Sequence, residues 1–295
     1  AAHFLNLVTT NDANALRPGE SQYAYLLAPN GHVLDDLMIY MISPARYLMI
    51  VNAANAEKDW AWLNAVNTRQ VRIDETRPWV RASFQAQLRD LHTTDASHAW
   101  LSGIALQGPR ARDVLFALLD SATPSAAVTE LRGRLKAMKH TQLMEAHFPS
   151  ERAPGGAFDV IVTRTGYTGE RMSYELLIHP DVLQAFWEQL LEVGGPLGLQ
   201  PIGLGARDSL RIEAGLPLYG HELAGPFDLR PDDAGFAGYV KLHKAFFVGR
   251  LAISFGDDAV AIGGDAGIET ARSVAEVEQA RDRALADIAA ARARL

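Results

Sequence analysis

The chain has 295 residues, of which 48% are hydrophobic and 21% charged, proportions that exclude a disordered or fibrous chain and leave room for about two domains. Its 28 basic and 35 acidic residues leave a formal net charge of -7, which argues against a broad nucleic-acid-binding surface, and zero cysteines exclude disulfides, a thiol nucleophile and thiolate metal sites. No run approaches the roughly 20 apolar residues a membrane span needs, and Ala1 to Thr10 has no basic segment leading an apolar one, so the chain reads as a cytoplasmic, non-membrane protein.

The first residue is Ala rather than Met and the opening segment already reads as a helix, which leads us to expect further sequence ahead of it. From Ser21 three apolar runs follow: Tyr23 to Ala28, Val33 to Ile42 and Tyr47 to Val51. Pro29-Asn30-Gly31 and Ser43-Pro44-Ala45 separate them, which is the turn chemistry of an antiparallel meander. Asn55 is placed to cap a helix carrying Trp60, Trp62 and Leu63, with Glu57 in its first turn. Val71 to Ile73 reads as another strand.

A second unit opens with the strand and turn Ile104 to Pro109, backed by a helix from Ala111 to Leu119. Pro154-Gly155-Gly156 is a loop, Phe158 to Val162 a strand, and His179 to Leu191 contains a helix with Val182, Leu183, Phe186, Leu190 and Leu191 on one face. Another helix is predicted over Ala206 to Glu213. Beyond Phe255 glycine-rich linker leads to a final helix in which Ser273 with Glu276 forms a capping box, and Val274, Val277, Ala284, Ile288, Ala291 and Leu295 keep heptad-like spacing. Three regions follow from this reading, 1–103, 104–255 and 256–295, and a β-rich start with interspersed helices predicts an α+β fold.

Phosphate-loop and zinc-protease signatures are absent. Gly203-Leu204-Gly205-Ala206-Arg207-Asp208 begins like a dinucleotide fingerprint, but Asp208 replaces the third glycine and would set a negative charge near a pyrophosphate. His92 and His98, six residues apart, make a poor metal face and read as solvated, so no metal site is expected. Asp35 and Asp36 interrupt the second strand. Adjacent residues on a strand point to opposite faces, so one carboxylate can face solvent while the other faces inward. A catalytic or ligand role and a solvated pair near a turn both fit that spacing. Gly166-Tyr167-Thr168-Gly169-Glu170 fits a hairpin turn, with Glu175 in the next apolar run, and Arg207, Asp208, Arg211 and Glu213 fit a helix face of charge pairs.

Read in order, these segments resemble the folate-binding core of the aminomethyltransferase family, the T-protein of the glycine cleavage system. The matching blocks are Thr10-Asn11-Asp12, Leu16 to Gly19, Gly31 to Leu37, Val51 to Ala54 with Glu57-Lys58-Asp59, Ala105 to Pro109, Arg164 to Glu170, Gly203 to Leu223, and Lys241 to Lys244 with Phe247 to Arg250. The resemblance implies a cloverleaf of small antiparallel-sheet and helix domains around a central folate channel. It implies transfer of an aminomethyl group from the lipoyl arm of an H-protein to tetrahydrofolate, giving methylenetetrahydrofolate, ammonia and the reduced lipoyl arm. By the same resemblance Asp36 is the essential carboxylate near the folate N5, Glu175 the acid that binds the pterin edge, and Arg207 an arginine lining the folate site, with Leu48, Ile50, Asn52 and Tyr167 completing the cofactor-binding set. A pterin edge offers an N–H and an amino group side by side, which one carboxylate can accept together. Two other functions remain open at this stage: a folate-dependent demethylase of a small methylated substrate, whose family relatives often lack the Asp-Asp pair, and a non-catalytic folate-binding protein.

Overall fold

The computed structural model describes residues 1–91, 100–226 and 229–253. The final helix expected over residues 273–295, its linker, and His92 and His98 lie outside the described residues. The protein is α+β, built on two antiparallel sheets. None of the described helices is long and apolar enough to cross a membrane.

A short helix α1 (Ala2–Val8) leads into the meander β1 (Ser21–Leu27), β2 (Val33–Ser43) and β3 (Arg46–Ile50), with β2 central. The turns are where Pro29-Asn30-Gly31 and Ser43-Pro44-Ala45 place them. Behind the sheet runs α2 (Ala56–Asn67). Its register with β2 sorts the strand by alternation: Leu37 and Ile39 pack with Phe4, Leu5 and Val8 of α1 and Leu63 and Val66 of α2, while Met38, Tyr40 and Ile42 join Leu48 and Ile50 on the opposite side. Val71 to Ile73 does not form a strand. Ile73 is buried against α1 and α2 as part of an irregular segment, so its apolar character reports burial and not strand pairing.

The second sheet has the order β4-β7-β6-β5, from β4 (Ser102–Gln107), β5 (Leu143–Pro149), β6 (Ala157–Thr163) and β7 (Ser173–Ile178). Three helices cover one side of it: α3 (Ala111–Asp120), α4 (Ala126–Ala137) and α5 (Pro180–Gly194). The sequence reading assigned no element to the stretch that holds α4 and β5. Tyr174, Leu176 and Ile178 face the helices and meet Leu115, Leu118, Leu135 and Phe186, whereas Leu177 falls on the other side, in contact with Tyr40, Leu48 and Ile161. The two sheets therefore share an apolar seam. Backbone bonds close one end of it, from Ser21 N–H to Thr141 C=O at 2.8 Å and from Leu143 N–H to Gly19 C=O at 2.9 Å.

After α6 (Leu204–Glu213) the chain returns to the first sheet, where Leu223, Val240, Phe247 and Ile253 cover Tyr25, Leu27 and Val33. Lys244 anchors this return by donating to the carbonyls of Thr9 at 2.6 Å and Asn11 at 2.8 Å.

Candidate functional site

The side of β2 that faces the seam carries three rungs. Tyr40 lies opposite Leu48, Met38 opposite Ile50, and the next rung brings Asn52 beside Asp36. Alternation and the β2–β3 register put Leu48 and Ile50 on the face that carries Asp36, and Asn52, just beyond β3, reaches the same carboxylate, with Leu48 buried and Ile50 half-buried.

Asp36 is half-buried and held at both oxygens. Asn52 Nδ2 donates to Oδ1 at 2.9 Å and the Tyr23 hydroxyl donates to Oδ2 at 2.9 Å. A carboxylate offers about four acceptor positions, so each oxygen keeps capacity for a ligand proton. Burial and the neighbouring Asp35 charge push the Asp36 pKa up to about 6, although the Tyr23 and Asn52 hydrogen bonds pull the other way. A carboxylate poised there can give and take a proton near neutral pH.

Asp35 is the inward-facing member of the pair, on the face of β2 opposite to Asp36. It is 0% exposed on the helix side of β2. The Asn52 backbone N–H donates to it at 3.0 Å, Asn52 Nδ2 at 2.9 Å and Asn55 Nδ2 at 2.6 Å. Asn55 does precede α2, but its side chain makes no capping bond: its Nδ2 donates to Asp35, and its Oδ1, the atom a cap would use, accepts from Lys58 Nζ at 3.1 Å. Lys58 closes this corner, donating to the Leu34 carbonyl at 2.6 Å and the Tyr219 hydroxyl at 2.8 Å.

Glu175 lies on the seam side of β7, paired with Ala105 and Thr163. Its described hydrogen bonds all fall on Oε2, from Tyr40 at 3.3 Å, from Thr163 at 3.5 Å and from Thr165 at shorter range. Tyr40 also bonds Thr165 at 2.9 Å, so one hydroxyl from the first sheet braces the acid of the second. Burial and the Glu175 charge together raise the Tyr40 pKa, which keeps this hydroxyl a donor.

The glycine-bracketed segment connects β6 to β7 as the hairpin reading expected, though as a loop longer than a tight turn. Gly166 is required by close approach: a Cβ there would stand 2.4 Å from that of Ser173. Tyr167 donates its hydroxyl to the Pro217 carbonyl, and the Arg207 guanidinium lies 4.7 Å from the centre of its ring. Burial raises the Tyr167 pKa, and of the nearby charges Arg211 and Arg207 oppose the shift while Asp36 and Glu222 add to it. Asp36 is thus within electrostatic reach of Tyr167. Arg207 is half-buried on α6, and no described hydrogen bond joins it to Asp36 or Glu175. The charge-pair reading of that helix holds for Asp208 and Arg211, 2.8 Å apart, and Arg211, 2% exposed, also reaches Glu222 across the following loop at 2.6 Å.

Sequence reasoning gave no site role to Tyr23, Tyr40, Asp59 or Thr165, and gave Asn55 only that of a helix cap. Tyr23 and Tyr40 reach their partners through strand register and sheet packing, which leave no local signal. Asp59 did leave one: Asn55, Asp59, Leu63 and Val66 follow helical spacing and all are buried on one face of the α2 region.

A family model described as GCVT N-terminal domain matches residues 1–244. Among curated relatives, an aminomethyltransferase from Chlorobium chlorochromatii is 40% identical over 252 residues, covering 85% of this chain and 58% of its own length. One from Symbiobacterium thermophilum is 37% identical over 255 residues, with 86% and 58% covered. The chain therefore spans somewhat under three fifths of these relatives. The crystal structure of the glycine cleavage system aminomethyltransferase T from Bartonella henselae superposes with a TM-score of 0.60 at 31% identity, covering 85% of this chain and 56% of that one.

Proposed function

Because the chain belongs to the GCVT N-terminal domain family, we propose that it binds tetrahydrofolate at the seam between its two sheets and serves the one-carbon transfer of an aminomethyltransferase. The donor in this reading is the aminomethyl-loaded lipoyl arm of an H-protein, and the products are methylenetetrahydrofolate, ammonia and the reduced arm. The observation that carries the proposal is Asp36, a carboxylate on a strand, anchored at both oxygens and poised at a pKa of about 6.

The residues present fit a reduced pterin. Glu175 holds its Oε2 against three hydroxyls and has Oε1 clear of described hydrogen bonds, which suits an N–H donor on the pterin edge. Leu48 and Ile50 supply apolar surface between the two acids. When bound, tetrahydrofolate supplies the nitrogen that receives the one-carbon unit. Asp36 then does two things from one position: it accepts a proton at an oxygen lone pair, and its negative charge stabilises positive charge developing beside it. Tyr23 and Asn52 keep the carboxylate still while it does so, and a strand locates it more closely than a loop would. Arg207 and Tyr167 form the wall on the α6 side.

A cytoplasmic site of action belongs to the same proposal, supported by the absence of cysteines from the sequence. Titration calorimetry with tetrahydrofolate, followed by an assay with aminomethyl-loaded H-protein, tests it. Binding with turnover is expected. Folate bound without transfer would leave only a binding role, and no binding would sink the proposal.

A further inference from the structure

The site contains a third aspartate for which the proposed chemistry has no direct use. Asp59, in the first turn of α2, is 1% exposed, and neither of its oxygens meets a donor among the described residues. A buried ionised carboxylate with no donor is costly enough to demand an explanation. Its neighbour supplies one. Asp35 raises the pKa of Asp59 both as a hydrogen-bonding neighbour and as a charge, and two carboxyl groups can share a hydrogen bond only if one carries a proton.

Bond counting says which one. Asp35 already accepts from the Asn52 backbone, the Asn52 side chain and the Asn55 side chain, three donors that need its oxygens as acceptors. One of its roughly four acceptor positions remains, on the Oδ2 side. Asp59 has nothing else to bond. The proton therefore belongs on Asp59.

On the reading that Asp36 is the reacting carboxylate, we propose that Asp59 is a positioning residue, an un-ionised acid that donates to Asp35 and through it fixes Asn52 against Asp36. Asn52 Nδ2 is the link, since it bonds Asp35 Oδ1 and Asp36 Oδ1, both at 2.9 Å. With Asp59 neutral, the buried corner holds two carboxylates instead of three, and Asp36 is spared a further repulsive charge. The charged groups facing Asp59 are Asp35 and Asp36 from β2 and Lys58 from its own helix. Burial, the Asp35 contact and the Asp35 charge push its pKa up to about 8 against the pull of Lys58. The device thus holds at neutral pH and fails on the alkaline side.

Infrared difference spectroscopy of the full chain tests the protonation without any reference to activity. Wild type at pH 7 is expected to show a C=O stretch of an un-ionised carboxyl group that disappears in Asp59→Asn, and absence of that band would overturn the proposal. Turnover tests the positioning. Asp59→Ala, which empties the Asp35 contact, is expected to lower kcat on the order of tenfold to a hundredfold with little change in KM, and Asp59→Asn, a neutral donor of similar shape, to recover most of that loss. The alkaline limb of the wild-type profile is expected to rise in Asp59→Asn. Superimposable profiles for wild type and Asp59→Asn would overturn the positioning role. If no form of the protein turns over, the parent reading has failed, and the infrared result still decides where the proton sits.

Discussion

The two sheets bury their helix-facing sides in different materials. Behind the second sheet, α3, α4 and α5 meet strands with leucine, valine and phenylalanine, including Leu115, Leu118, Leu135, Phe148, Phe158 and Phe186. Behind the first, α2 brings Leu63 and Val66 but also Asn55 and Asp59, which face a fully buried Asp35. Apolar packing is the cheaper way to stabilise a sheet, because buried carboxylates must be desolvated before any hydrogen bond offsets the cost. The buried carboxylates directly behind Asp36 mark a region where stability has been exchanged for a placed charge. The second sheet holds the fold, and the first holds the chemistry.

Substitutions separate the two roles. Asp36→Asn is expected to lower turnover by about 10²–10⁴-fold, the range for loss of a positioned proton acceptor, while the melting temperature stays at or above that of wild type. A steady-state assay alongside thermal unfolding checks both halves, and a large loss of Tm would blur the contrast between the sheets. Leu118→Ala is the mirror experiment. A cavity in the apolar core of the second sheet is expected to cost about 3 kcal/mol, roughly 5 °C in Tm for a chain of this size, with kcat per folded molecule unchanged. A drop in kcat measured well below the new Tm would show that the second core also serves the site.

Glu175→Gln probes the acid braced by both sheets. It keeps an oxygen for Thr165 and Tyr40 but removes the charge, so the KM for folate is expected to rise about ten- to a hundredfold, the worth of a charged hydrogen bond, with kcat much less affected. A fall in kcat at unchanged KM would move Glu175 from binding to chemistry.

The smallest expected effect is on the pH dependence of stability. The folded-state pKa of Asp36 is about 6, above its ordinary aspartate value, so between roughly pH 4 and 6 the native state binds a proton that the unfolded chain releases. Its contribution is complete below that window and is lost as pH rises through it. The Tm of Asp36→Asn relative to wild type should therefore climb across this interval and level off above it. A difference that stays flat would mean that burial does not perturb Asp36.

Much of the fold could be read along the chain because its signals are local. Turn residues at Pro29-Asn30-Gly31 and Ser43-Pro44-Ala45 cut the meander, and helical spacing of Val182, Leu183, Phe186 and Leu190 located α5. Val71 to Ile73 misled for the same reason, since three apolar-flanked residues look alike whether they pair as a strand or lie buried in a loop. Asn55 misled because capping is only one of the bonds its amide oxygen can accept, and the Lys58 ammonium offered a charged donor while the amide nitrogen turned to the buried Asp35.

The order of motifs was enough to name the chain's resemblance, and it was the resemblance, not period-two alternation, that singled out Asp36 over Asp35. Neither could say what lies opposite each face. That Tyr23 reaches Asp36 depends on the pairing of β1 with β2, that Tyr40 braces Glu175 depends on two sheets meeting across 135 residues of sequence, and that Asp59 meets Asp35 depends on how α2 lies behind the sheet. Local propensity decides which way a side chain leaves the backbone, whereas its partner, and with it its pKa, is decided by packing between segments distant in the chain.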